Sequence, residues 1–339
     1  MNAEVSAAPV PQDNQAWPGH PVVQEIIRRG RLGLKGNSEW GAPGAAKLGL
    51  VVEGGGMRGI YSGSCLVALE QLGLTDVFDK VFGESAGAIN SCYFLAGQGA
   101  FGIKIYLEDL TSLKFANPLR FGTMLDVGYA IDVVVKSIKP LDVERVLSSP
   151  SDLYIALTDA ITGEGRLVDV RGEKIDLLDL LRATGAIVPL YNRAVSINGH
   201  PYVDGGISNP IPIRSAISAG CTHILVVLTR PVEFVSTPIP QWLRLCIYPM
   251  LRRWSSAFVT SFYSRQSTRY NDTRNIAFGR TILQKGVQIA VIAPGADSPS
   301  FDRSTTSRQK LLAAKDDAIR RTQAVFTNLA PGAGSDPTI

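Results

Sequence analysis

The sequence has little of what disulfide frameworks and zinc sites require. Only four cysteines occur among its 339 residues: Cys65, Cys92, Cys221 and Cys246. They are scattered and form no C-x-x-C pair, so neither a zinc site nor a disulfide framework is indicated. We expect small buried thiols in a reducing compartment.

The sequence also shows no pattern typical of a secretory signal or of a membrane-spanning segment. Residues 1–21 lack the basic and apolar regions of a secretory signal. The longest uncharged stretch, residues 85–103, is rich in small and polar residues, which predicts a core helix and turn and not a membrane span. We therefore expect a cytoplasmic protein that is soluble or lies peripherally at the inner face of the membrane.

Strong charge of either sign is absent as well. The formal net charge is +4, and no block of Lys and Arg of the kind that binds nucleic acid occurs. We therefore expect no nucleic-acid partner, whereas a mildly basic chain is compatible with an anionic membrane surface. The hydrophobic fraction of 45% allows a large core. The sequence makes no prediction of the oligomeric state.

Strand-like and helix-like segments alternate from residue 47 onward, which predicts an α/β protein. Such alternation indicates a mainly parallel sheet covered on both faces. We predict a mostly irregular arm at 1–45 with a short helix at Val22–Arg29, one domain at 46–328, and a flexible tail at 329–339. Strands are predicted at 47–54, 79–85, 152–159, 165–170, 194–197, 223–230 and 287–294.

The first predicted strand ends in a glycine-rich turn that has two interpretations. Gly54, Gly56 and Gly59 fit G-x-G-x-x-G, in which glycines let the backbone approach a pyrophosphate. Alternatively, the N–H groups of Gly54, Gly55 and Gly56 form an oxyanion hole for acyl transfer.

A second motif favours the oxyanion interpretation. Gly83, Ser85 and Gly87 form G-x-S-x-G between a predicted strand and a predicted helix, the setting of a nucleophile elbow. The tight turn exposes the serine hydroxyl at the start of the helix, and glycines avoid collisions on either side. Glu84 lies about where the ribose-binding acid of a dinucleotide site would lie, and this position is one observation that favours the nucleotide interpretation.

A serine nucleophile needs a base, and Asp204 is the preferred candidate. It ends an apolar stretch, and Gly205 and Gly206 follow it, which leaves room for a serine beside the carboxylate. Desolvation raises the pKa of such a carboxylate toward that of a useful base. A structural Asx turn and His200 as the base are the alternatives. The other two histidines are His20 and His223.

Residues 236–280 differ from the rest of the chain in their composition. They contain seven arginines and a single acidic residue, Asp272. Leu251, Trp254, Phe258 and Phe262 recur at helical spacing within them, after a proline that kinks or divides the segment. Such a basic helix with an aromatic face suits an anionic lipid surface, but a helix that packs on the sheet and shows its arginines to water is the slightly preferred interpretation.

The three motifs together resemble the patatin-like phospholipase family. Its oxyanion motif D-G-G-G-x-R-G corresponds to Glu53–Gly59, its elbow to Gly83–Gly87, and its catalytic D-G-G to Asp204–Gly206, in the family's order over residues 46–230. Glu53 replaces the usual Asp. The family's A-S-x-A-x-P segment reads differently at 183–189, which affects the expected substrate more than the chemistry.

The resemblance implies a three-layer α/β/α fold and a Ser85–Asp204 dyad that hydrolyses acyl esters of lipids, as a phospholipase A or lysophospholipase does. Arg58 is expected either to add positive charge near the oxyanion hole or, preferably, to pair with Glu53. Neither a metal nor a cofactor is expected. A catalytically weak lipid-binding or scaffold protein on the same fold is the alternative, and a nucleotide-binding enzyme is a third hypothesis.

Overall fold

The structure, a computed structural model, describes residues 14–327 except positions 121 and 252, with the backbone but not the side chains of 264–266. The predicted tail at 329–339 and the first thirteen residues of the predicted arm lie outside these described residues.

One eight-stranded sheet forms the middle of the described molecule. Its strand order is β5-β6-β3-β2-β1-β7-β8, and β4 also pairs with β3. The pairs β3–β2, β2–β1, β1–β7 and β7–β8 are parallel, whereas β4, β5 and β6 join by antiparallel pairs. The strands are β1 Leu48–Val52, β2 Lys80–Gly83, β3 Asp152–Asp159, β4 Gly165–Asp169, β5 Val195–Ile197, β6 His200–Asp204, β7 His223–Val227 and β8 Gln288–Ile292.

Helices cover both faces of this sheet, because its central strands are apolar on both sides. Leu50 and Val52 face one core cluster and Val51 faces the other. The predicted three-layer α/β/α architecture is confirmed. The α-helices are α1 Pro21–Leu32, α2 Gly59–Gln71, α3 Ala86–Leu95, α4 Gly99–Gly102, α5 Val143–Leu147, α6 Leu177–Thr184, α7 Ile213–Ser218, α8 Gln241–Leu251, α9 Ser256–Ala277 and α10 Arg308–Val325, and π-helical segments lie at Ile105–Asp109 and Tyr129–Ile138.

The register of the strands brings the three motifs to one place. Val52 at the end of β1 lies opposite Gly83 at the end of β2, so the turns that follow them are neighbours. In β3, Ile155 lies opposite Gly83, and Leu157 lies opposite Asp204. Only strand β3 therefore separates the end of β2 from the end of β6.

The N-terminal arm is more ordered than the sequence predicted. The predicted helix at Val22–Arg29 is longer in the structure, where α1 extends over Pro21–Leu32. It buries four aliphatic side chains together with Arg29. The guanidinium group of Arg29 lies 2.9 Å from Asp79 and also donates to the carbonyl of Val77. A buried ion pair with further hydrogen bonds of this kind fixes the helix against the sheet.

The basic segment 236–280 forms two helices, α8 and α9, and Pro249 lies inside α8 close to the division. Three residues of the predicted aromatic face, Leu251, Phe258 and Phe262, are buried in the core, and Trp254 is half-buried against it. The preferred interpretation, in which this face packs into the protein, is therefore confirmed, and the interpretation of the same face as lipid-binding is wrong. The helices of the described residues are all too short or too polar to cross a membrane.

One thiol also departs from its predicted position. Cys65, Cys92 and Cys221 are buried as expected, but Cys246 is exposed on α8. It lies on the outer side of α8, which also shows large apolar side chains to solvent. These are Trp242, Leu245 and Tyr248.

Candidate active site

A cavity of about 490 Å³ lies where the three motifs meet. Ser85, Asp204, Gly54 and Gly55 line one part of it, and α8 and α9 close the opposite part. Its apolar lining comes from Met124, Ile187, Val188, Leu190, Leu243, Ile247, Met250 and Phe262. A mostly apolar pocket with a few convergent polar groups is typical of a site that binds small molecules.

Ser85 occupies a strained turn between β2 and α3. Its φ of 52° and ψ of −131° are rarely adopted by a residue with a side chain, and they cost free energy that the surroundings must offset. Glycine is required on both sides: a Cβ at Gly83 would lie 2.7 Å from the Cα of Ala88, and one at Gly87 would lie 2.3 Å from the carbonyl oxygen of Val52. The turn has the geometry expected of a nucleophile elbow.

Thr184, at the end of α6, supports this turn. Its hydroxyl accepts a hydrogen bond from the N–H of Ser85 at 2.8 Å and donates one to the carbonyl of Ala156 at 2.8 Å. Two residues later, the carbonyl of Ala186 accepts from the N–H of Asp204 at 3.2 Å. One short segment therefore positions the backbones of both Ser85 and Asp204. The sequence showed a threonine at the family's serine position, but it gave no sign of these contacts.

Asp204 is buried beside Ser85, whose side chain is one of its hydrogen-bond partners. The N–H of Gly206 donates to its Oδ1 at 2.7 Å. Burial raises the pKa of the Asp204 carboxyl to about 6, and the hydrogen bonds of Ser85 and Gly206 oppose that rise. Gly205 is needed for this turn because its Cβ would lie 2.2 Å from the carbonyl oxygen of Ala156.

Glu84 contacts the oxyanion loop, which the sequence did not reveal. Its Oε1 accepts the N–H of Gly54 at 2.8 Å, so this N–H is not the free donor that was predicted. In the described part of the chain, the N–H groups of Gly55 and Gly56 have no hydrogen-bond partner. Burial, followed by the charge of nearby Asp204, raises the pKa of Glu84 well above its usual value.

The loop glycines fit closely against their neighbours. A Cβ at Gly54 would lie 2.8 Å from the Cβ of Ser85, and one at Gly59 would lie 2.6 Å from the Cβ of Ala86. Gly55 and Gly56 adopt φ values of 142° and 59°, where side chains are rarely accommodated. These positions hold the loop against Ser85.

Arg58 does not pair with Glu53, and the preferred expectation for this residue is wrong. The carboxylate of Glu53 instead accepts from the N–H of Thr229 and the hydroxyl of Tyr270. Arg58 is only 7% exposed, and its Nε and Nη1 have no hydrogen-bond partner among the described residues. Burial, and then the charges of Arg303 and Arg230, lowers the pKa of Arg58 to about 10.

None of the three histidines lines this cavity. His200 binds Asp159, with 2.6 Å between Nε2 and Oδ2, so the structure does not place it as the base. His20 accepts from the N–H of Val22 at the start of α1, and His223 begins β7. Among the residues that the structure describes, no group of three or more metal-ligating side chains is present.

Comparison with known proteins agrees with the family resemblance of the sequence. The family model for patatin-like phospholipase matches residues 50–217. The uncharacterized protein YjjU of Escherichia coli is 30% identical over 215 residues, 61% of this chain and 57% of YjjU. Human patatin-like phospholipase domain-containing protein 4 is 30% identical over 168 residues, 47% of this chain and 64% of that protein.

The chain therefore spans less than two thirds of the length of each of these two relatives. The crystal structure of VipD from Legionella pneumophila matches with a TM-score of 0.48 at 12% identity, over 85% of this chain and 67% of VipD. The assignment to a family is based on the matched domain and on the two relatives above. The chain belongs to the patatin-like phospholipase family.

Proposed function

We propose that the protein is a lipid acyl hydrolase that works through an acyl-enzyme on Ser85. The family implies hydrolysis of lipid acyl esters. The observation that carries the proposal for this chain is the juxtaposition of a serine in a strained elbow with a buried carboxylate of raised pKa. Both groups line a cavity with a mostly apolar wall, which suits an acyl chain.

The residues have these roles in the proposed mechanism. The Oγ of Ser85 attacks the ester carbonyl while Asp204 accepts its proton, and the proton then passes to the leaving alcohol. The free N–H groups of Gly55 and Gly56 donate to the oxyanion. Water next attacks the acyl-enzyme, again with Asp204 as base, and releases the fatty acid.

The pKa of Asp204 suits this role. At pH 7 to 8 a carboxyl with a pKa of about 6 is mostly ionised, yet it is a stronger base than an ordinary aspartate. We expect kcat/KM to fall about tenfold per pH unit below pH 6, because the protonated carboxyl cannot accept the serine proton. A rate that is constant from pH 7 down to pH 5 would contradict Asp204 as the base.

Labelling with a fluorophosphonate probe tests the proposal directly. Wild type should be labelled, Ser85→Ala should not, and Asp204→Asn should be labelled much more slowly. Circular dichroism confirms that both variants are folded. A folded wild type that is not labelled, and that turns over no lipid ester, would favour the catalytically weak lipid-binding or scaffold protein.

Peripheral membrane contact is proposed for the outer side of α8 and not for the buried aromatic face. Trp242, Leu245 and Tyr248 are 58–77% exposed there, and the opposite side of α8 lines the cavity. An exposed apolar strip in a basic segment is suited to an anionic lipid surface.

Co-sedimentation with liposomes tests this contact. Binding should rise with the fraction of anionic lipid, fall with salt, and weaken in Trp242→Ala/Leu245→Ala. Ile282→Ala is the control, since Ile282 is 77% exposed but lies outside α8. Binding that is indifferent to lipid charge, salt and the double substitution would refute the contact.

A further inference from the structure

A chain of hydrogen bonds runs from α9 to the oxyanion loop. The hydroxyl of Tyr270, on α9, donates to Oε1 of Glu53 at 2.5 Å. Oε2 of Glu53 accepts the N–H of Thr229, and the hydroxyl of Thr229 donates to the carbonyl of Gly54 at 3.0 Å. Glu53 and Thr229 are buried, so water competes little for these bonds and each of them restrains its partner.

The last of these bonds fixes the direction of a proposed oxyanion donor. The carbonyl of Gly54 and the N–H of Gly55 belong to one planar, trans peptide unit and therefore point in opposite directions. Glycine on both sides of this unit leaves its orientation open, since residues without a Cβ tolerate backbone angles such as the φ of 142° at Gly55. The hydroxyl of Thr229 thus supplies a restraint that the loop glycines themselves do not.

Glu53 links Thr229 to Tyr270 because of the length of its side chain. Its N–H donates to the carbonyl of Val227 at 2.9 Å, which continues the pairing of β1 with β7 and brings Thr229 beside it. Each carboxylate oxygen then holds a different donor. The aspartate that is usual in the family at this position is one methylene group shorter, so its carboxylate would withdraw from Tyr270. The replacement of Asp by Glu in this chain therefore has a structural counterpart on α9.

Tyr270 is itself held in place. Its ring packs edge-on against that of Phe234, with 6.0 Å between the centroids, and the guanidinium of Arg274 lies 5.8 Å from its centroid. Burial of the hydroxyl, followed by the charge of Glu53, raises the pKa of Tyr270 well above its usual value, so the hydroxyl stays protonated and remains a donor. Tyr270 lies outside the matched family domain at 50–217, so the family motifs do not include it.

We propose that Thr229 and Tyr270 are positioning residues that aim the N–H of Gly55 at the oxyanion. Thr229 acts directly on the peptide unit, and Tyr270 acts through Glu53, which keeps Thr229 in place. Neither side chain has to contact the reacting atoms. This inference rests on the proposed function for its effect on the rate, whereas the restraint on the loop does not require turnover.

Steady-state kinetics with a soluble ester, p-nitrophenyl butyrate, test the proposal in the active enzyme. Thr229→Val removes the hydroxyl but keeps the shape of the side chain, and kcat should fall about tenfold. Tyr270→Phe acts less directly, and kcat should fall about threefold. KM should stay within about twofold in both variants, because the oxyanion forms only after the ester has bound. Unchanged kcat in both variants, or a rise in KM alone, would overturn the proposal.

Two control variants separate positioning from a general loss of stability. Tyr93→Phe also removes a buried tyrosine hydroxyl, which donates to the carbonyl of Lys139 outside the cavity lining, so its kcat should equal that of wild type. Thr229→Ser keeps the hydroxyl and should restore most of the kcat that Thr229→Val loses. A loss in Tyr93→Phe as large as that in Tyr270→Phe, or no recovery in Thr229→Ser, would count against positioning and overturn it.

A double variant tests whether the two residues act along one chain of bonds. Once the hydroxyl of Thr229 is removed, Tyr270 no longer acts on the carbonyl of Gly54, so Thr229→Val/Tyr270→Phe should be no slower than Thr229→Val. A loss equal to the product of the two single losses would show independent effects and would refute the chain.

Hydrogen exchange measured by mass spectrometry separates this inference from the proposed function. Peptides that cover residues 53–58 should exchange about fivefold faster in Thr229→Val than in wild type, and no faster in Tyr93→Phe. If wild type hydrolyses no ester, faster exchange supports the restraint on the loop while the catalytic proposal fails, and unchanged exchange refutes the restraint as well. If wild type hydrolyses esters and kcat falls in neither Thr229→Val nor Tyr270→Phe, the positioning role is refuted alone.

Discussion

The two sides of the cavity are built in different ways. The motif wall, which comprises residues 53–59, 83–87 and 204–206, is held by hydrogen bonds from backbone N–H groups to carboxylate side chains, and by glycines at positions where a Cβ would lie less than 3 Å from a neighbouring atom. The cap wall, which comprises α8 and α9, is held by packing of apolar side chains. The first arrangement fixes reacting atoms, and the second shapes the space around the acyl chain. We therefore expect substitutions in the two walls to damage different properties.

The largest effect is expected in the cap wall, on stability. Phe258 is fully buried and its ring stacks on Trp254 and Phe262, at centroid distances of 4.9 and 6.3 Å. Phe258→Ala should lower the free energy of unfolding in urea by about 3–5 kcal/mol, through lost transfer energy and a cavity.

The matched substitution on the same wall is Trp242→Ala. Trp242 is 66% exposed, so its removal should change the free energy of unfolding by less than about 0.5 kcal/mol. Equal losses for the two aromatic residues would show that the buried and exposed sides of the cap wall are assigned wrongly.

The next effect is expected in the motif wall, on activity. Gly54→Ala places a methyl group 2.5 Å from the carbonyl oxygen of Glu84 and 2.8 Å from the Cβ of Ser85, so the loop or the elbow must move. Displacement of the nucleophile and of the oxyanion donors should lower kcat/KM about 100-fold.

Gly41→Ala is the control for this prediction, because a Cβ there meets no atom within 4 Å. Its kcat/KM should equal that of wild type. A Gly54→Ala enzyme with wild-type kcat/KM would mean that the loop tolerates displacement and does not position the chemistry.

The sequence predicted where the three motifs lie in the fold because their signals are local. Each motif stands at the end of a short apolar strand, and parallel strand ends meet at one edge of a sheet. The contacts that the sequence missed are long-range: Thr184 binds the N–H of Ser85 across 99 positions, and Glu84 takes the N–H of Gly54 across 30. No spacing rule relates such residues before the fold brings them together.

The cap wall was predicted in part, for a physical reason. Helical spacing of Leu251, Phe258 and Phe262 indicates an apolar helix face, but burial in a core and contact with lipid require the same periodicity. The direction of that face depends on neighbours that are distant in the chain. Trp242 and Leu245, which are exposed, lie on a helix whose inner side also carries apolar residues.

A smaller effect is expected in the pH dependence of stability. The pKa of Asp204 rises from 3.8 to about 6 on folding, so the native state holds this proton more tightly than the unfolded state. Wild type should therefore lose about 1–3 kcal/mol of stability as the pH rises from 4 through 6.

Asp204→Asn removes this titration while its side-chain oxygen still accepts from the N–H of Gly206. Its free energy of unfolding in urea, compared with that of wild type at pH 4, 5, 6 and 7, should become progressively larger relative to wild type as the pH rises. Parallel curves for the two proteins would show that Asp204 is not desolvated in the native state.

The smallest effect is expected from the hydroxyl group of Thr184, which supports the elbow and through it affects activity. Thr184→Val keeps the shape of the side chain but removes the acceptor for the N–H of Ser85 and the donor to the carbonyl of Ala156. The elbow then loses one of its restraints, and kcat should fall about tenfold with little change in KM, because the nucleophile is displaced and the cap wall is intact. Thr184→Ser retains the hydroxyl and should restore kcat. If the valine variant is as fast as wild type, packing of the side chain supports the elbow and the hydrogen bonds do not.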